Sequence, residues 1–296
     1  MNHSARQRFY NRASQANWKT FAPHRGEITG RLVGAAGWVG SSLGVLGAGN
    51  CNDLDLVRLA EAYGSIHLLD IDAGAMQGGI AHQFAMAAVG AQGLRERIRV
   101  VPCDLTGALE ACHEYGLAPT SGNLARLRGA LGHLPAAAEV GGPFTTVAST
   151  CVLSQLLSTF RRTMREGGAG LRPVEELVRW QHLRTLAALA APGGTAILFA
   201  DVVSSETEPR ILGASAAELA GVMERVCREE GCFPGMNPEG LLRRLGEPPL
   251  DGCWAGRPES SAPWVWDLGP RSYLVTAITC LRNGGAGADW VRGWVG

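Results

Sequence analysis

The sequence predicts an α/β protein whose sheet is doubly wound and mostly parallel. Two observations support this class: five short apolar runs alternate with helical patterns, and two further apolar runs flank a turn near the C-terminus. Alternation of strands with helices implies a parallel sheet covered on both faces, whereas the terminal hairpin adds antiparallel pairing. The chain has 296 residues, of which 46% are apolar and 18% charged, values typical of a large globular domain.

The five apolar runs place the strands of the parallel sheet. They are Leu43 to Leu46, Ile66 to Leu69, Ile98 to Val101, Phe144 to Ala148 and Thr195 to Ala200. In a Rossmann-like sheet of this kind, a ligand binds at the carboxyl ends of the strands, where the strand order reverses. Four of the five runs end in glycine or aspartate, or have aspartate close behind. We therefore expect a binding site at that edge.

The two ends of the chain differ from this body. Residues 12 to 33 carry a helical pattern that breaks near Pro23, a residue suited to the first turn of a second helix. Trp264 to Trp266 and Ser272 to Thr279 flank a Gly-Pro pair, which predicts the terminal hairpin. The predicted division is a helical cap over 1–40, a body over 41–282 and a tail over 283–296.

Charge and composition exclude several functions. The chain has 27 basic and 27 acidic residues, and this balance argues against a protein that wraps nucleic acid. Lys19 is the only lysine and precedes every predicted strand, which removes most Schiff-base and P-loop chemistry. No apolar run suits a signal peptide or a membrane span, so we expect a cytoplasmic protein. The eight cysteines form no CxxC pair, and we interpret them as reduced, mostly buried thiols without a metal.

The first predicted strand runs into Gly47-Ala48-Gly49, where the backbone can turn sharply and a ligand can approach closely. A helix follows, and we expect Asn52 or Asp53 to cap it. A carboxylate at the end of the second strand can accept hydrogen bonds from both hydroxyls of a ribose. Asp70 has that position, and an aspartate after the third strand could bind an adenine amine. The spacing therefore predicts an adenosine site.

The residues after the glycines favour one adenosine ligand over another. Asn52 stands where a dinucleotide-binding fingerprint has its third glycine, and Asp53 beside it would repel a pyrophosphate. An adenosine with an amino-acid tail has no such conflict, because Asn50, Asn52 or the Gly47 carbonyl can accept hydrogen bonds from its ammonium. We therefore expect S-adenosylmethionine rather than a nicotinamide cofactor.

Five stretches carry a family resemblance. They are Val45 to Asn50, His67 to Asp72, Val100 to Leu105, Phe144 to Ser149 and Pro192 to Ala196. Over roughly residues 40 to 282, the chain resembles the class I S-adenosylmethionine-dependent methyltransferases. The resemblance implies a seven-stranded sheet whose last strand is antiparallel. One departure is Gly44-Val45-Leu46, where many members place an acidic residue before the glycines.

The resemblance also implies roles for individual residues. Gly47 and Gly49 would contact the methionine part, Asp70 the ribose and Asp104 the adenine, with Ser149, Thr150 and Cys151 beside the transferred methyl group. The neighbouring residues Ala48, Asn50, Asn52, Ile71 and Leu105 complete the expected cofactor-binding set.

Three residues are candidates for catalysis on the substrate side. His182 lies on the apolar stripe of a predicted helix, so it is either a core histidine or a polar group facing the substrate. His24 either packs in the cap or helps to close the cofactor site. Asp201 is either an acid/base residue or a helix cap. Residues 105–143 and 151–194 are longer than the sheet connections require, which predicts lid insertions.

The leading hypothesis is a methyltransferase acting on a small molecule by SN2 displacement. A non-methylating enzyme or a binding protein that uses the same cofactor is the main alternative, because a fold does not fix a function. An NAD-dependent oxidoreductase is disfavoured by Asn52. RNA methylation has little support, since the chain has no basic tail and no net positive charge. The oligomeric state is not predicted.

Overall fold

A computed structural model describes most of the chain. The described residues are 3–14, 17–38, 40–87, 91–164 and 170–285. The predicted tail over 283–296 therefore lies almost wholly outside them. Within the described residues, no helix combines the length and apolarity that a bilayer crossing requires.

Eight strands form one sheet in the described part of the chain. They are β1 (Ser42–Leu46), β2 (Ser65–Asp70), β3 (Ile98–Pro102), β4 (Phe144–Thr150), β5 (Ala190–Ser204), β6 (Glu259–Ser260), β7 (Trp264–Asp267) and β8 (Ser272–Leu281). The order is β3-β2-β1-β4-β5-β8-β6, and β7 also pairs with β8. Strands β1 to β5 are parallel, whereas β8 is antiparallel to its three partners. The structure therefore confirms the doubly wound sheet with an antiparallel end, and adds the short β6.

Eleven α-helices surround the sheet over the ranges that the structure describes. They are α1 (His3–Ser14), α2 (Ala22–Gly34), α3 (Leu56–Ala62), α4 (Ala73–Met86), α5 (Gln92–Arg95), α6 (Leu109–Leu117), α7 (Ser121–Leu131), α8 (Leu153–Met164), α9 (Leu171–Leu189), α10 (Ala216–Arg228) and α11 (Pro238–Leu245). Pro23 lies in the first turn of α2, as predicted. The prediction that the first helix begins near residue 12 was wrong. Helix α1 begins at His3, in a polar segment whose arginine, glutamine and alanine residues favour helix without an apolar stripe.

The predicted cap of the helix after the glycine turn was also wrong. Helix α3 begins at Leu56, and Asp55 caps it by accepting a hydrogen bond from the Arg58 N–H at 3.1 Å. Asn52 does not serve as the cap because its side-chain amide donates to the Ser14 carbonyl. Asp53, the other predicted cap, does not serve either, because α3 begins at Leu56 and Asp55 directly precedes it.

Two apolar layers enclose the sheet. In β1, Leu43 and Val45 face the layer that contains α2 to α4, whereas Leu46 faces the layer that contains α6 to α9. This division follows from the two-residue period of a strand. In the second layer, Leu127, Phe160 and Leu186 from the two predicted insertions are buried against the sheet. Much of both insertions therefore forms the packed cover of one sheet face, and their role as lids stays a prediction.

Candidate functional site

The turn after β1 lies where the strand order reverses between β1 and β4. Gly47 has φ +79° and Gly49 has φ +49°, values that glycine adopts at little cost. A Cβ atom on Gly47 would lie 2.4 Å from the Cβ of Val152, which follows β4. The Gly47 N–H donates to the Leu69 carbonyl at 2.8 Å and so fixes the turn to β2. Glycine is therefore needed at residue 47 for both its conformation and its lack of a side chain.

Asp70 joins the end of β2 to this turn. Its carboxylate accepts a hydrogen bond from the Gly49 N–H and another from the Asp72 N–H, each at 3.0 Å. Burial raises the pKa of Asp70, and the two N–H donors oppose that rise by stabilising the charged form. The carboxylate therefore has a fixed orientation at the edge where the sequence places the ribose.

A small cavity lies beside Asp70 at the ends of β2, β3 and β4. Asp70, Ile71, Asp104 and Leu105 line it together with Gln7, Gln155 and three apolar side chains. Its volume of about 30 Å³ is far below the roughly 300–1,000 Å³ of pockets that bind drug-sized ligands. The Gln7 amide of α1 reaches the Gln155 side chain of α8 across it, at 3.4 Å. Side chains of two helices thus occupy much of the space beside four predicted cofactor-binding residues.

Helix α1 is hydrogen-bonded directly to the glycine turn. Asn11 donates to Asp72 Oδ2 at 3.0 Å, and the Asn50 side chain donates to the Asn11 carbonyl at 3.1 Å. Asn52 is buried and donates to the Ser14 carbonyl at 2.7 Å. Asn50 and Asn52, which the sequence assigns to the amino-acid tail of the ligand, therefore hold α1 here. Asn11 and Gln7 were missed, because single polar contacts of this kind leave no periodic pattern in a sequence.

Asp104 organises the loop after β3. Its Oδ1 accepts hydrogen bonds from the Thr106 N–H and hydroxyl, and its Oδ2 accepts one from the Leu109 N–H at 2.9 Å. The carboxylate thereby stabilises the turn into α6 while it lines the cavity. Its expected contact with adenine stays a prediction.

The side chains at the end of β4 face different parts of the molecule. The Thr150 hydroxyl donates to the Gly47 carbonyl at 3.1 Å, so this side chain faces the turn. Cys151 is buried and has φ +48°, a strained conformation for a residue with a side chain. The Ser149 hydroxyl lies 2.8 Å from His182 Nε2, and both residues are fully buried. Ser149 therefore faces the apolar layer rather than the cavity.

The structure buries His182 in α9, and His182 is not among the residues that line the cavity. Burial lowers its pKa to about 4, so the imidazole is neutral near pH 7. Its Nδ1 is buried and has no hydrogen-bond partner among the described residues. Of the two interpretations offered by the sequence, this position corresponds to the core histidine.

His24 and Asp53 meet on the opposite face of the sheet. Trp264 Nε1 donates to His24 Nδ1 at 3.0 Å, and the His24 ring stacks on Trp266 with 4.5 Å between centroids. Because Nδ1 accepts, the neutral ring carries its proton on Nε2. That Nε2 lies 3.8 Å from Asp53 Oδ1. Burial and the nearby Arg25 lower the His24 pKa to about 3, so the ring stays neutral near pH 7.

Asp201 lies inside β5 and is the N-cap of none of the helices in the described ranges, so that alternative was wrong. Strand β5 continues to Ser204, and Asp201 Oδ2 accepts a hydrogen bond from the Ser154 hydroxyl at 2.6 Å. Its Oδ1 is buried and has no hydrogen-bond partner among the described residues. Burial raises the pKa of Asp201 to about 7, against the opposing effect of Ser154. Asp53 likewise has a pKa raised to about 7, mainly by burial.

The comparisons with known proteins find similarity in structure alone. No family model matches the chain, and the search of curated proteins finds no match. Among solved structures, the N-methyltransferase NodS from Bradyrhizobium japonicum WM9, in complex with S-adenosyl-L-homocysteine, is 11% identical with a TM-score of 0.41, covering 88% of this chain and 87% of that one. The 16S rRNA (adenine(1408)-N(1))-methyltransferase from Catenulisporales acidiphilia is 12% identical with a TM-score of 0.39, covering 86% and 92%.

A third solved structure is the O-methyltransferase TomG from Streptomyces achromogenes, in complex with S-adenosylmethionine. It is 12% identical with a TM-score of 0.36, covering 82% of this chain and 74% of that one. At these values the likeness describes the broad path of the chain and identifies no acceptor. The sheet itself has the antiparallel end that the resemblance to class I methyltransferases implied.

Proposed function

We propose that this chain binds S-adenosylmethionine at the turn after β1 and transfers its methyl group to a small molecule. The observation that carries the proposal is the Gly47–Gly49 turn, whose backbone N–H donates a hydrogen bond to Asp70. The turn lies at the strand-order reversal, and Asp70 lines the cavity beside it. Ligands of doubly wound sheets bind at this place.

The chemistry of the cavity residues fits an adenosine without a diphosphate. Asp70 and Asp104 offer carboxylate oxygens to hydroxyl and amine donors, whereas Ile71 and Leu105 offer apolar contact to a purine ring. None of the nine lining residues is basic. Two carboxylates without a basic partner would repel a pyrophosphate, and this supports S-adenosylmethionine over a dinucleotide.

The residues of the chain would position the ligand and exclude water from it. S-adenosylmethionine, when bound, supplies a methyl carbon activated by a positively charged sulfur. Asp70 would orient the ribose, and the backbone of Gly47 would allow close approach of the amino-acid tail. Helix α1 would cover the turn through Asn11. Since alignment of reacting atoms supplies much of the rate in such displacements, this cover and orientation are the expected contributions of the protein.

The ligand requires space that Gln7 and Gln155 now occupy. We expect these flexible side chains to move, with a small shift of α1, because their mutual contact of 3.4 Å is long for a hydrogen bond. The chain atoms around Asp70 would stay in place, since backbone donors hold that carboxylate.

Isothermal titration calorimetry with S-adenosylhomocysteine tests the proposal. Asp70→Asn should weaken binding at least tenfold, because an amide oxygen accepts from the ribose less strongly than a carboxylate. Asp251→Asn, an exposed aspartate elsewhere, is the matched control and should bind as the wild type does. Absence of heat with the wild-type protein would reject the proposal, and binding of NAD⁺ instead would favour the oxidoreductase.

The nature of the transferred group needs a separate measurement. Mass spectrometry of the nucleoside product distinguishes the two uses of this cofactor. S-adenosylhomocysteine would support methyl transfer, whereas methylthioadenosine would support transfer of the aminocarboxypropyl arm. A small acceptor is favoured over RNA by the carboxylates of the buried Asp201 and the partly exposed Asp53, which would repel phosphates.

A further inference from the structure

Asp53 and Asp201, hereafter the carboxylate pair, lie close enough together for the charge of Asp201 to raise the pKa of Asp53. Asp201 in β5 pairs with Val275 in β8, which pairs with Trp264 in β7. Directly paired residues share a face, and Trp266 lies two residues further along on that same face. His24 of α2 contacts both tryptophans there. The register of three strands therefore brings Asp201 to the aromatic surface that α2 covers.

Four polar atoms in this place are buried without a hydrogen-bond partner among the described residues. They are Asp53 Oδ1, Asp201 Oδ1, His24 Nε2 and Trp266 Nε1. His24 is 1% exposed and Trp266 is 8% exposed, so neither ring nitrogen reaches bulk water. Buried polar groups are almost always hydrogen-bonded, and a concentration of exceptions on one surface indicates a ligand. Asp53 keeps 19% of its side chain exposed, which gives this place a connection to solvent.

In the part of the chain that the structure describes, the negative charges of the carboxylate pair are not balanced by a positively charged side chain in contact with them. Among the described residues, no arginine or lysine nitrogen lies within 4 Å of either member of the carboxylate pair. Arg25 acts on Asp53 from a greater distance. Its guanidinium lies 3.4 Å from the Trp18 ring centroid and donates to the Asn52 carbonyl at 3.0 Å. Among the described residues, no arginine or lysine side chain therefore contacts the carboxylate pair.

Aromatic rings pack around Trp266 in this place, and the Arg31 guanidinium lies 5.1 Å from the ring centroid of the neighbouring Trp264. His24, Phe21 and Tyr273 all pack against Trp266, with centroid separations of 4.5, 5.5 and 5.4 Å. Faces of aromatic rings attract ammonium groups, and the attraction grows when water is excluded. Carboxylate oxygens and ring faces together are a combination typical of amine recognition.

This place adjoins the glycine turn. Ser154, which donates to Asp201, is followed directly by Gln155, and Gln155 lines the cavity beside Asp70. Val152, two residues before Ser154, is the side chain that a Cβ on Gly47 would strike. Asp53 follows the same turn on the β1 side. The carboxylate pair is therefore linked to the cavity beside Asp70 through two adjacent residues of α8, Ser154 and Gln155.

We infer that the methyl acceptor is an amine whose nitrogen binds between Asp53 and Asp201. The inference rests on the proposed function and names its substrate class. The amine arrives as an ammonium ion, and one carboxylate takes a proton from it, which leaves a lone pair on nitrogen. That pair forms the bond to the methyl carbon while the carbon–sulfur bond breaks and its electrons stay on sulfur. The product leaves as a methylated ammonium ion, and the carboxylic acid returns its proton to water.

The acid/base properties of the pair suit this role. Burial raises the pKa of each carboxyl to about 7, so each can accept a proton near neutral pH and release it afterwards. His24 and Ser154 are positioning residues, since they contact the carboxylates rather than the amine. The neutral imidazole directs its Nε2–H toward Asp53 without adding a competing charge.

Binding of amines without the methyl donor tests the inference independently of turnover. Calorimetry at pH 8 would use methylamine, benzylamine and phenethylamine, each paired with the alcohol of the same carbon skeleton. We expect at least one amine to bind and its paired alcohol to bind at least tenfold more weakly. Asp53→Asn and Asp201→Asn should each weaken amine binding at least tenfold, with Asp251→Asn unchanged. Circular dichroism checks that each variant is folded.

A second titration, with S-adenosylhomocysteine, separates this inference from the proposed function. Retained S-adenosylhomocysteine binding with lost amine binding in the two variants supports the inference. Weakened S-adenosylhomocysteine binding with unchanged amine binding would overturn it, because the carboxylates would then hold the amino-acid tail of the ligand. Equal binding of amines and alcohols, or no amine binding, would also overturn it. If the wild type binds amines and not S-adenosylhomocysteine, the amine site stands and the proposed function fails.

Trp266→Phe gives a milder variant in case the aspartate variants fail to fold. It removes the unpartnered Nε1–H and keeps the ring face that stacks on His24. Amine binding should fall less than tenfold and stay selective over the alcohol. Loss of that selectivity would contradict a site in which the carboxylates provide the recognition.

Discussion

Gly47 and Val152 approach so closely at the ends of β1 and β4 that there is no room for a side chain on residue 47. A Cβ atom there would lie 2.4 Å from the Val152 Cβ and 2.7 Å from one of its methyl carbons. Gly47 also has a positive φ, so a substitution would be strained even in open space. The closeness sets the distance between the glycine turn and the residues after β4.

Gly47→Ala should therefore destabilise the protein by more than the cost of its backbone conformation. Gly213→Ala is the matched control, because Gly213 has a similar φ of +73° and a Cβ atom there would meet no other atom within 4 Å. We expect about 1 kcal/mol for the control and about 2–4 kcal/mol for Gly47→Ala, since overpacking adds to the strain. Urea unfolding of both variants measures the difference. Equal losses would contradict the contact with Val152.

Asp201→Asn should increase stability at high pH, in addition to weakening amine binding. The folded-state pKa of about 7 lies above the ordinary value of 3.8, so the folded protein holds a proton that the unfolded chain has lost. Stability from this group is therefore greatest at low pH and falls as the pH rises from about 4 through 7. The asparagine removes that loss, and its side-chain oxygen can still accept from Ser154.

The magnitude follows from the difference in pKa. The difference between the folded-state pKa of about 7 and the ordinary value of 3.8 corresponds to about 4 kcal/mol of unfolding free energy as an upper limit at pH 8. Nearby titratable groups share this effect. Asp53, Tyr273 and Cys151 face the same region, so part of the pH dependence will remain in the variant. Urea unfolding at pH 5 and pH 8 measures it. A variant less stable than wild type by the same amount at both pH values would contradict the burial of an unpartnered carboxylate.

Ser149→Ala should reduce stability without affecting ligand binding. The substitution leaves His182 Nε2 without its partner in an apolar layer, at a cost of about 1–3 kcal/mol. Because burial lowers the pKa of His182 to about 4, stability also falls as the pH drops below about 6.5, where the unfolded chain takes up a proton. Urea unfolding measures the loss of stability, and titration with S-adenosylhomocysteine checks that ligand binding is unchanged. Weaker ligand binding with unchanged stability would place the Ser149–His182 pair in the site after all.

The strands and the glycine turn could be predicted from the sequence, whereas the polar contacts could not. The central strands β1, β2, β4 and β5 are mostly buried because both faces of the sheet are covered there, and their apolar runs leave a local pattern. Asp70 and Gly49 could be placed together because both lie at strand ends. The bond between Ser154 and Asp201 joins residues 47 apart in the chain, and no local pattern records it.

The cap of α3 was predicted wrongly for the same reason, because it depends on a contact between residues that are distant in the chain. Asn52 has the side chain that an N-cap requires, yet it donates to the Ser14 carbonyl of α1. The contact depends on how α1 packs across the turn, which the polar sequence of α1 does not reveal. The alternation of Trp264 and Trp266 on one face could have indicated the aromatic surface near Asp201, since the hairpin register follows from the predicted turn.

Loosening α1 should speed ligand binding, because its side chains occupy the cavity beside Asp70. Gln7→Ala removes the side chain that reaches Gln155, and Asn11→Ala removes the hydrogen bond to Asp72. We expect faster association of S-adenosylhomocysteine in stopped-flow experiments for both variants, and for Asn11→Ala also faster hydrogen exchange of the α1 amides. Arg12→Ala, on the exposed side of α1, is the matched control. If association slows in Gln7→Ala while the control is unchanged, the glutamine contacts the ligand rather than occupying its place.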